Sequence, residues 1–152
     1  MNAEIISSRL FEFPRAEVFR AFTDPALLQE WWGPAGFSNE FETFELRPGG
    51  AWLFTMHAPD GSAHRMFKEF VEIVPLERIV IQHLEPPEHR FRMTVTFLEE
   101  TGGTRLTWRI AFESAEEDAR VRPFVIAGNE QNFDRLVTLL EREAAAAALP
   151  KH

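Results

Sequence analysis

Residues 124–148, FVIAGNEQNFDRLVTLLEREAAAAA, decide how the rest of this chain is read. Phe133, Leu136, Val137, Leu140 and Ala144 recur at spacings of three and four, which places them on one stripe of a helix. Arg135, Glu141, Arg142 and Glu143 fall mostly on its other faces. About twenty-five residues at ~1.5 Å rise make a rod of ~37 Å, as long as a small domain is wide. Such a helix needs a broad apolar surface to lie on. Its first half differs from its second. Where the second half offers Leu and Val, the first offers Gly128, Asn129, Gln131 and Asn132. Gly costs ~1 kcal/mol relative to Ala inside a helix, so Gly128 points to a close approach. Two readings fit: a solvated or tightly packed face, or the roof of a cavity into which amides project.

The surface for that helix comes from the preceding residues. Residues 4–12 read as a strand. Pro14 opens a helix with Val18, Phe19 and Phe22 on its apolar side. Asp24-Pro25 caps and restarts a second short helix carrying Leu27, Leu28, Trp31 and Trp32, which Gly33-Pro34 ends. From there the pattern has a period of two. Strands are expected at 37–46, with Phe41 or Phe44 inward, and at 51–57, 64–74, 78–84, from Phe91 onward, and through 104–112. Arg47-Pro48-Gly49-Gly50, Ala58-Pro59-Asp60-Gly61, Val74-Pro75-Leu76-Glu77, Glu85-Pro86-Pro87-Glu88 and Glu100-Thr101-Gly102-Gly103 turn between them. Phe91, Met93, Val95 and Phe97 face in, and Arg92, Thr94 and Thr96 face out. Ser114 with Glu117 fits a capping box for a short helical turn, and Pro123 either kinks that helix or begins the long one.

The expectation is an α+β fold of order β-α-α-β-β-β-β-β-β-α, one domain over residues 1–152. A curved antiparallel sheet wraps the long C-terminal helix and leaves an internal cavity where the helix stands off.

Composition narrows the function. Apolar residues are 45% and charged residues 26% of the 152, as in ordinary globular domains. The formal charge of −8 disfavours nucleic acid or an anionic membrane surface as partner. There is no Cys, which removes disulfides, thiol nucleophiles and thiolate metal sites. No apolar run approaches the ~20 residues of a membrane span, and a cytoplasmic location is the expectation. Fifteen Phe, four Trp and no Tyr predict a dry interior or an apolar pocket, because Phe has no polar tip to satisfy.

Set beside known families, the chain resembles the START-like superfamily (SRPBCC, or helix-grip). Within it, the chain is similar to bacterial proteins related to the C-terminal domain of the activator of a heat-shock chaperone ATPase. The matching residues are Pro14 with Val18-Phe19, Thr23-Asp24-Pro25, Trp31-Trp32, Arg47-Pro48-Gly49-Gly50, Asp60-Gly61, Val74-Pro75 with Arg78-Ile79-Val80, Val95-Thr96-Phe97 and Gly103-Thr104-Arg105-Leu106-Thr107. The resemblance spans nearly the whole chain. It implies the helix-grip fold, but function only broadly: binders of lipids and small molecules, cyclases, hydrolases, and co-chaperones tied to the stress response. Activators of that last kind carry a further N-terminal domain that this chain lacks, so the co-chaperone role is the weaker expectation. Relatives usually carry Gly-Trp near the start of the final helix, whereas Gly128 is followed here by Asn129, which makes the cavity roof more polar.

The chemistry is sparse. His57 and His64 flank one hairpin turn and His83 and His89 another at the same end of the meander, while His152 stands apart; none has metal-site spacing, so no metal and no cofactor is expected. Glu40, Glu42, Glu69 and Glu72 lie in strand patterns, with Glu42 the candidate general base if it faces inward. No Ser has a nucleophile-elbow context. The aromatic and Met residues carry more: Trp31, Trp32, Trp52, Phe54, Met66, Phe70, Phe91, Met93 and Trp108 are either core or the walls of a ligand cavity. His83, Gly128, Asn129 and Asn132, and Arg92 if it faces in, would orient what binds there. The leading expectation is non-catalytic binding of a small hydrophobic or amphipathic molecule. The alternatives are a cyclase- or hydrolase-type enzyme using Glu42 or His83, and the co-chaperone. A homodimer through a sheet edge or the outer helix face is compatible with the pattern.

Overall fold

The computed structural model describes residues 4–84, 91–112 and 115–148. The expected turn at 85–88, together with His89, Ser114 and His152, lies outside the described residues, as does the side chain of Glu117. The elements run β1 (Glu4–Phe11), α1 (Arg15–Thr23), α2 (Pro25–Trp31), β2 (Ser38–Phe44), β3 (Ala51–His57), β4 (Ala63–Val74), β5 (Arg78–His83), β6 (Phe91–Glu100), β7 (Gly103–Phe112) and α3 (Ala115–Ala148). The seven strands form one antiparallel curved sheet in the order β1-β7-β6-β5-β4-β3-β2. Strands β2 to β7 form the expected meander, and β1 pairs with its last strand.

Local chemistry explains the elements. The Asp24 carboxylate accepts from the Ala26 N–H at 3.0 Å, which satisfies an orphan donor at the start of α2. The period-two pattern holds in β3, where Trp52, Phe54 and Met56 are buried, and in β6, where Met93, Val95 and Phe97 are. In β2 both Phe41 and Phe44 turn inward, because the register slips between Phe41 and Thr43 and a bulge at Glu42 changes the parity. Their rings stack at 5.9 Å. A second slip, between Phe70 and Glu72, likewise sends both Phe70 and Ile73 inward.

The long helix departs from expectation at its start. One continuous helix of 34 residues begins at Ala115, and Pro123 lies inside it on an exposed face; of the two sequence readings, a kink within a helix or the start of the long one, the structure excludes the second. Ala144, expected on the buried stripe, is exposed; Leu139 takes that role. The apolar residues of α3 that are fully buried all lie in its second half, at Phe133, Leu136, Leu139 and Leu140. From the start of the helix up to Asn132 the buried side chains among the described residues are polar: Asp118, Asn129 and Asn132. The helix makes its close contacts with β1, β7, α1 and α2. Arg9 of β1 ties it down through Glu130 at 2.6 Å and Asp134 at 2.9 Å. Burial opposes the Arg9 charge, yet the bonds to those two carboxylates outweigh it and raise the pKa above its ordinary value. The middle of the sheet is thus left facing a helix that packs elsewhere.

Candidate functional site

The gap between the sheet and the first half of α3 is a cavity of about 430 Å³ that opens to solvent. Its floor is the inner face of the sheet: Met56 of β3, Met66 and Lys68 of β4, Phe91 and Met93 of β6, and Trp108 and Ile110 of β7. Its roof is Val121, Phe124, Val125, Gly128, Asn129 and Asn132 of α3, and one side wall is Trp32-Gly33-Pro34 beyond α2. Phe124 stands at the mouth with 78% of its surface exposed. A second, smaller hollow of about 190 Å³ lies outside, beside Glu30, Arg135 and Arg142.

The side wall is held by the polar residues of α3. Asn132 Oδ1 accepts from the Gly33 N–H at 2.8 Å, and Gln131 Oε1 accepts from the Ala35 N–H at 3.1 Å. Arg135 donates to the carbonyls of Glu30, Trp32, Gly33 and Pro34 at 2.9–3.1 Å, and its burial lowers its pKa. A guanidinium at the end of α2 meets carbonyls that have no intrahelical partner. Gly33 must be Gly: its φ is +101°, and a Cβ there would lie 2.6 Å from Met56 Cε. Asn129 Nδ2 donates to Ser7 Oγ of β1 at 3.1 Å. The amides read as ligand-orienting groups therefore have structural work, with the Asn129 Oδ1 and Asn132 Nδ2 left without a protein hydrogen bond among the described residues.

Of the residues singled out in the sequence, Trp32, Met66, Phe91, Met93, Trp108, Gly128, Asn129 and Asn132 line the cavity. Trp31, Trp52, Phe54 and Phe70 do not; they are core. Trp31 donates its indole N–H to the Ala21 carbonyl at 2.9 Å, and Trp52 stacks on Phe54 at 4.6 Å and on Phe70 at 6.0 Å. Gly128 is not required by close packing, since an added Cβ would meet only Pro34 Cγ, at 3.8 Å. Glu42 is not an inward base: it is 48% exposed and paired with Arg65 at 2.8 Å on the outer side. Arg92 also faces out, donating to Gln82 Oε1 at 3.2 Å. His57 lies near Glu40 at 3.7 Å and His64 by Ser62 at 3.1 Å, both near the surface, whereas His83 is buried. Among the described residues no three His, Asp or Glu side chains are grouped to hold a metal ion.

His83 stands behind the wall, not in it. Its Nδ1 is 3.0 Å from Lys68 Nζ, and its ring stacks on Phe91 at 4.6 Å. Lys68 is 3% exposed, lines the cavity, and sits 5.1 Å from the Phe91 ring centre and 5.9 Å from that of Trp32. Both Lys68 and His83 engage neighbours beyond this pair. Sequence reasoning missed Lys68, although a signal existed. Met66 and Phe70 face in, and residue 68 shares their parity.

The fold and the site define a helix-grip protein with a solvent-open apolar cavity under its final helix. The family model described as activator of Hsp90 ATPase homolog 1-like protein matches residues 12–141, and the chain belongs to that family. Among solved structures, a protein from Chromobacterium violaceum shares 27% identity and superposes with a TM-score of 0.80, covering 90% of this chain and 96% of that one. A protein from Arthrobacter aurescens, at 22% identity, reaches 0.84 with 91% and 86% covered. One from Nitrosomonas europaea, at 21%, reaches 0.83 with 92% and 95%. No curated protein matches the chain. Among the described residues no helix is long and apolar enough to cross a membrane.

Proposed function

We propose that this protein binds a small apolar or amphipathic molecule in the cavity between the sheet and α3, without turning it over. The carrying observation is the composition of the cavity: Met, Trp, Phe, Ile and Val supply ten of its sixteen lining residues, and Lys68, Asn129 and Asn132 are the polar side chains among the rest. That is the usual make-up of a small-molecule site, and about 430 Å³ falls in the size range of such sites. Three Met residues, Met56, Met66 and Met93, give the floor side chains that adapt to irregular shapes. Affinity comes from apolar burial at ~25 cal/mol per Å². Acid–base catalysis through Glu42 has no support in the geometry, because that carboxylate lies on the outer side of the sheet.

The test is native mass spectrometry of gently purified protein, followed by thermal shifts with a panel of fatty acids, fatty alcohols and aromatic compounds. A retained small mass, or a rise in Tm with one ligand class, supports the reading. A bare protein mass together with no shift across the panel refutes it.

A further inference from the structure

Two polar atoms in the cavity roof take no part in holding the fold. The roof positions of α3 run through Val121 and Val125 to Gly128, Asn129 and Asn132, so an apolar stripe gives way to amides. Asn129 is 6% exposed and Asn132 7%. Each amide has one end fastened to the protein and one end unused. The Gly33 N–H can only donate, so Asn132 turns Oδ1 to it at 2.8 Å and keeps Nδ2 as an unused donor. Asn129 gives Nδ2 to Ser7 Oγ at 3.1 Å and keeps Oδ1 as an unused acceptor. The two fastenings are on separate elements, the side wall beyond α2 and β1, and they hold the amides against rotation. A buried amide atom that finds no partner loses its hydration without return, so this donor and this acceptor call for a partner that enters the cavity. Room is left for one. Gly128 precedes Asn132 by four residues and neighbours it on the helix surface. A Cβ at Gly128 would meet only Pro34 Cγ, at 3.8 Å, so the place beside the Asn132 amide is open.

We propose that Asn129 and Asn132 together read a carboxamide, so that the molecule bound in this cavity is an uncharged amide with an apolar body. This rests on the reading of the cavity as a ligand site and narrows it to one chemical class. The ligand carbonyl accepts from Asn132 Nδ2, and the ligand N–H donates to Asn129 Oδ1. Residues one helical turn apart have Cβ atoms ~5–6 Å apart. That span suits a head whose donor and acceptor sit on neighbouring atoms, whereas a hydroxyl offers both from one oxygen. A carboxylate or an ester has no hydrogen to give to Asn129. The apolar body lies along Met66, Met93 and Trp108 towards the mouth at Phe124. The body is either an alkyl chain or an aromatic ring system, and the experiment separates the two.

Binding is measured by titration calorimetry with octanamide against 2-nonanone, and with 2-naphthamide against 2-acetylnaphthalene. In each pair a methyl group replaces the amide NH₂ at nearly the same shape. Both members are uncharged and carry a carbonyl, so the comparison does not depend on Lys68. For whichever body fits, the wild type is expected to bind the amide at least about fivefold more tightly, because the ketone leaves Asn129 Oδ1 facing a methyl group. Asn129→Leu inverts the order: the amide weakens about tenfold and the ketone does not weaken. Asn132→Asp keeps an oxygen for the Gly33 N–H and removes the donor, so both members weaken about tenfold. If the ketones bind the wild type as tightly as the amides, if Asn129→Leu keeps the amide preference, or if Asn132→Asp leaves both affinities unchanged, the carboxamide reading is refuted and the apolar site stands. If no member of either pair binds the wild type, both readings fail. The wild-type comparison decides even if neither variant folds.

Discussion

Replacing Gly128 with Ala tests whether the roof of the cavity is open where the structure places the opening. In a helix interior, Ala is more stable than Gly by ~1 kcal/mol, because the glycine backbone loses more freedom on folding. That gain is realised only if the new methyl fits. An added Cβ at Gly128 has a single neighbour within 4 Å, Pro34 Cγ at 3.8 Å, which is ordinary van der Waals contact. No clash offsets the gain. For a chain of about this length, 1 kcal/mol raises Tm by ~2–4 °C, so Gly128→Ala is expected to melt a few degrees above wild type in calorimetry. Gly128→Leu carries the same argument further. Its side chain has a cavity of about 430 Å³ to enter, so it too is expected to fold, and to weaken every ligand that shares the space. A Tm for Gly128→Ala equal to or below that of wild type would refute the reasoning. It would mean that α3 lies closer to the wall at Pro34 than described and that the roof is closed.

Two other perturbations each test a single hydrogen bond, one in the cavity wall and one in a hairpin turn. Asn132→Ala leaves the buried Gly33 N–H without its 2.8 Å acceptor; a loss of ~1–3 kcal/mol is expected from urea unfolding with an unchanged m-value, and no change in midpoint would mean that the amide does not fasten the wall. At the β3–β4 hairpin, the Asp60 carboxylate accepts from Ser62 Oγ at 2.6 Å and from the Ser62 N–H at 2.9 Å, and the hydroxyl bond is the largest influence holding its pKa below the usual carboxylate value. A depressed folded pKa gives stability that is present above the unfolded value and fades as pH falls through the folded one. Ser62→Ala should therefore move the Asp60 titration, followed by NMR, upward towards the ordinary value, and an unmoved titration would contradict that cause.

How much of this was readable from sequence differs by element. The strands and hairpins were readable because a sheet with one buried face alternates and its turns are chemically distinctive. The ambiguity at Phe41 and Phe44 was itself a clue: two inward residues of opposite parity require a bulge, and one lies at Glu42. The continuity of α3 was hidden by Pro123, which reads as either a kink or a start; on an exposed face of the helix it is accommodated. The cavity walls could not be told from core. Met66 and Phe70 share one face of β4, yet Met66 lines the cavity and Phe70 is core, because the difference lies in where a distant helix passes. Lys68 was passed over because charge in a strand is ordinarily read as outward, and only its parity argues otherwise.

A sealed void of this size would be too expensive for a small domain to keep. A dry void costs ~24 cal/mol per Å³ when large side chains are removed from a core. At about 430 Å³ a sealed, empty space of this size would cost ~10 kcal/mol, comparable with the entire stability of a typical domain. The opening beside Phe124 avoids that cost by letting water in, but water against Met, Trp and Phe is itself unfavourable. On the proposed function, the fold stays stable with the space wetted and is expected to gain when an apolar molecule displaces the water. At a hundred times its Kd such a molecule adds ~2.7 kcal/mol of apparent stability, or a Tm rise of ~5–10 °C at the sensitivity expected for a chain of this length. The second half of α3, with Phe133, Leu136, Leu139 and Leu140 fully buried, holds the helix on the sheet whether or not the first half has anything beneath it. That division of labour along one helix lets a small protein keep an open cavity without losing its fold.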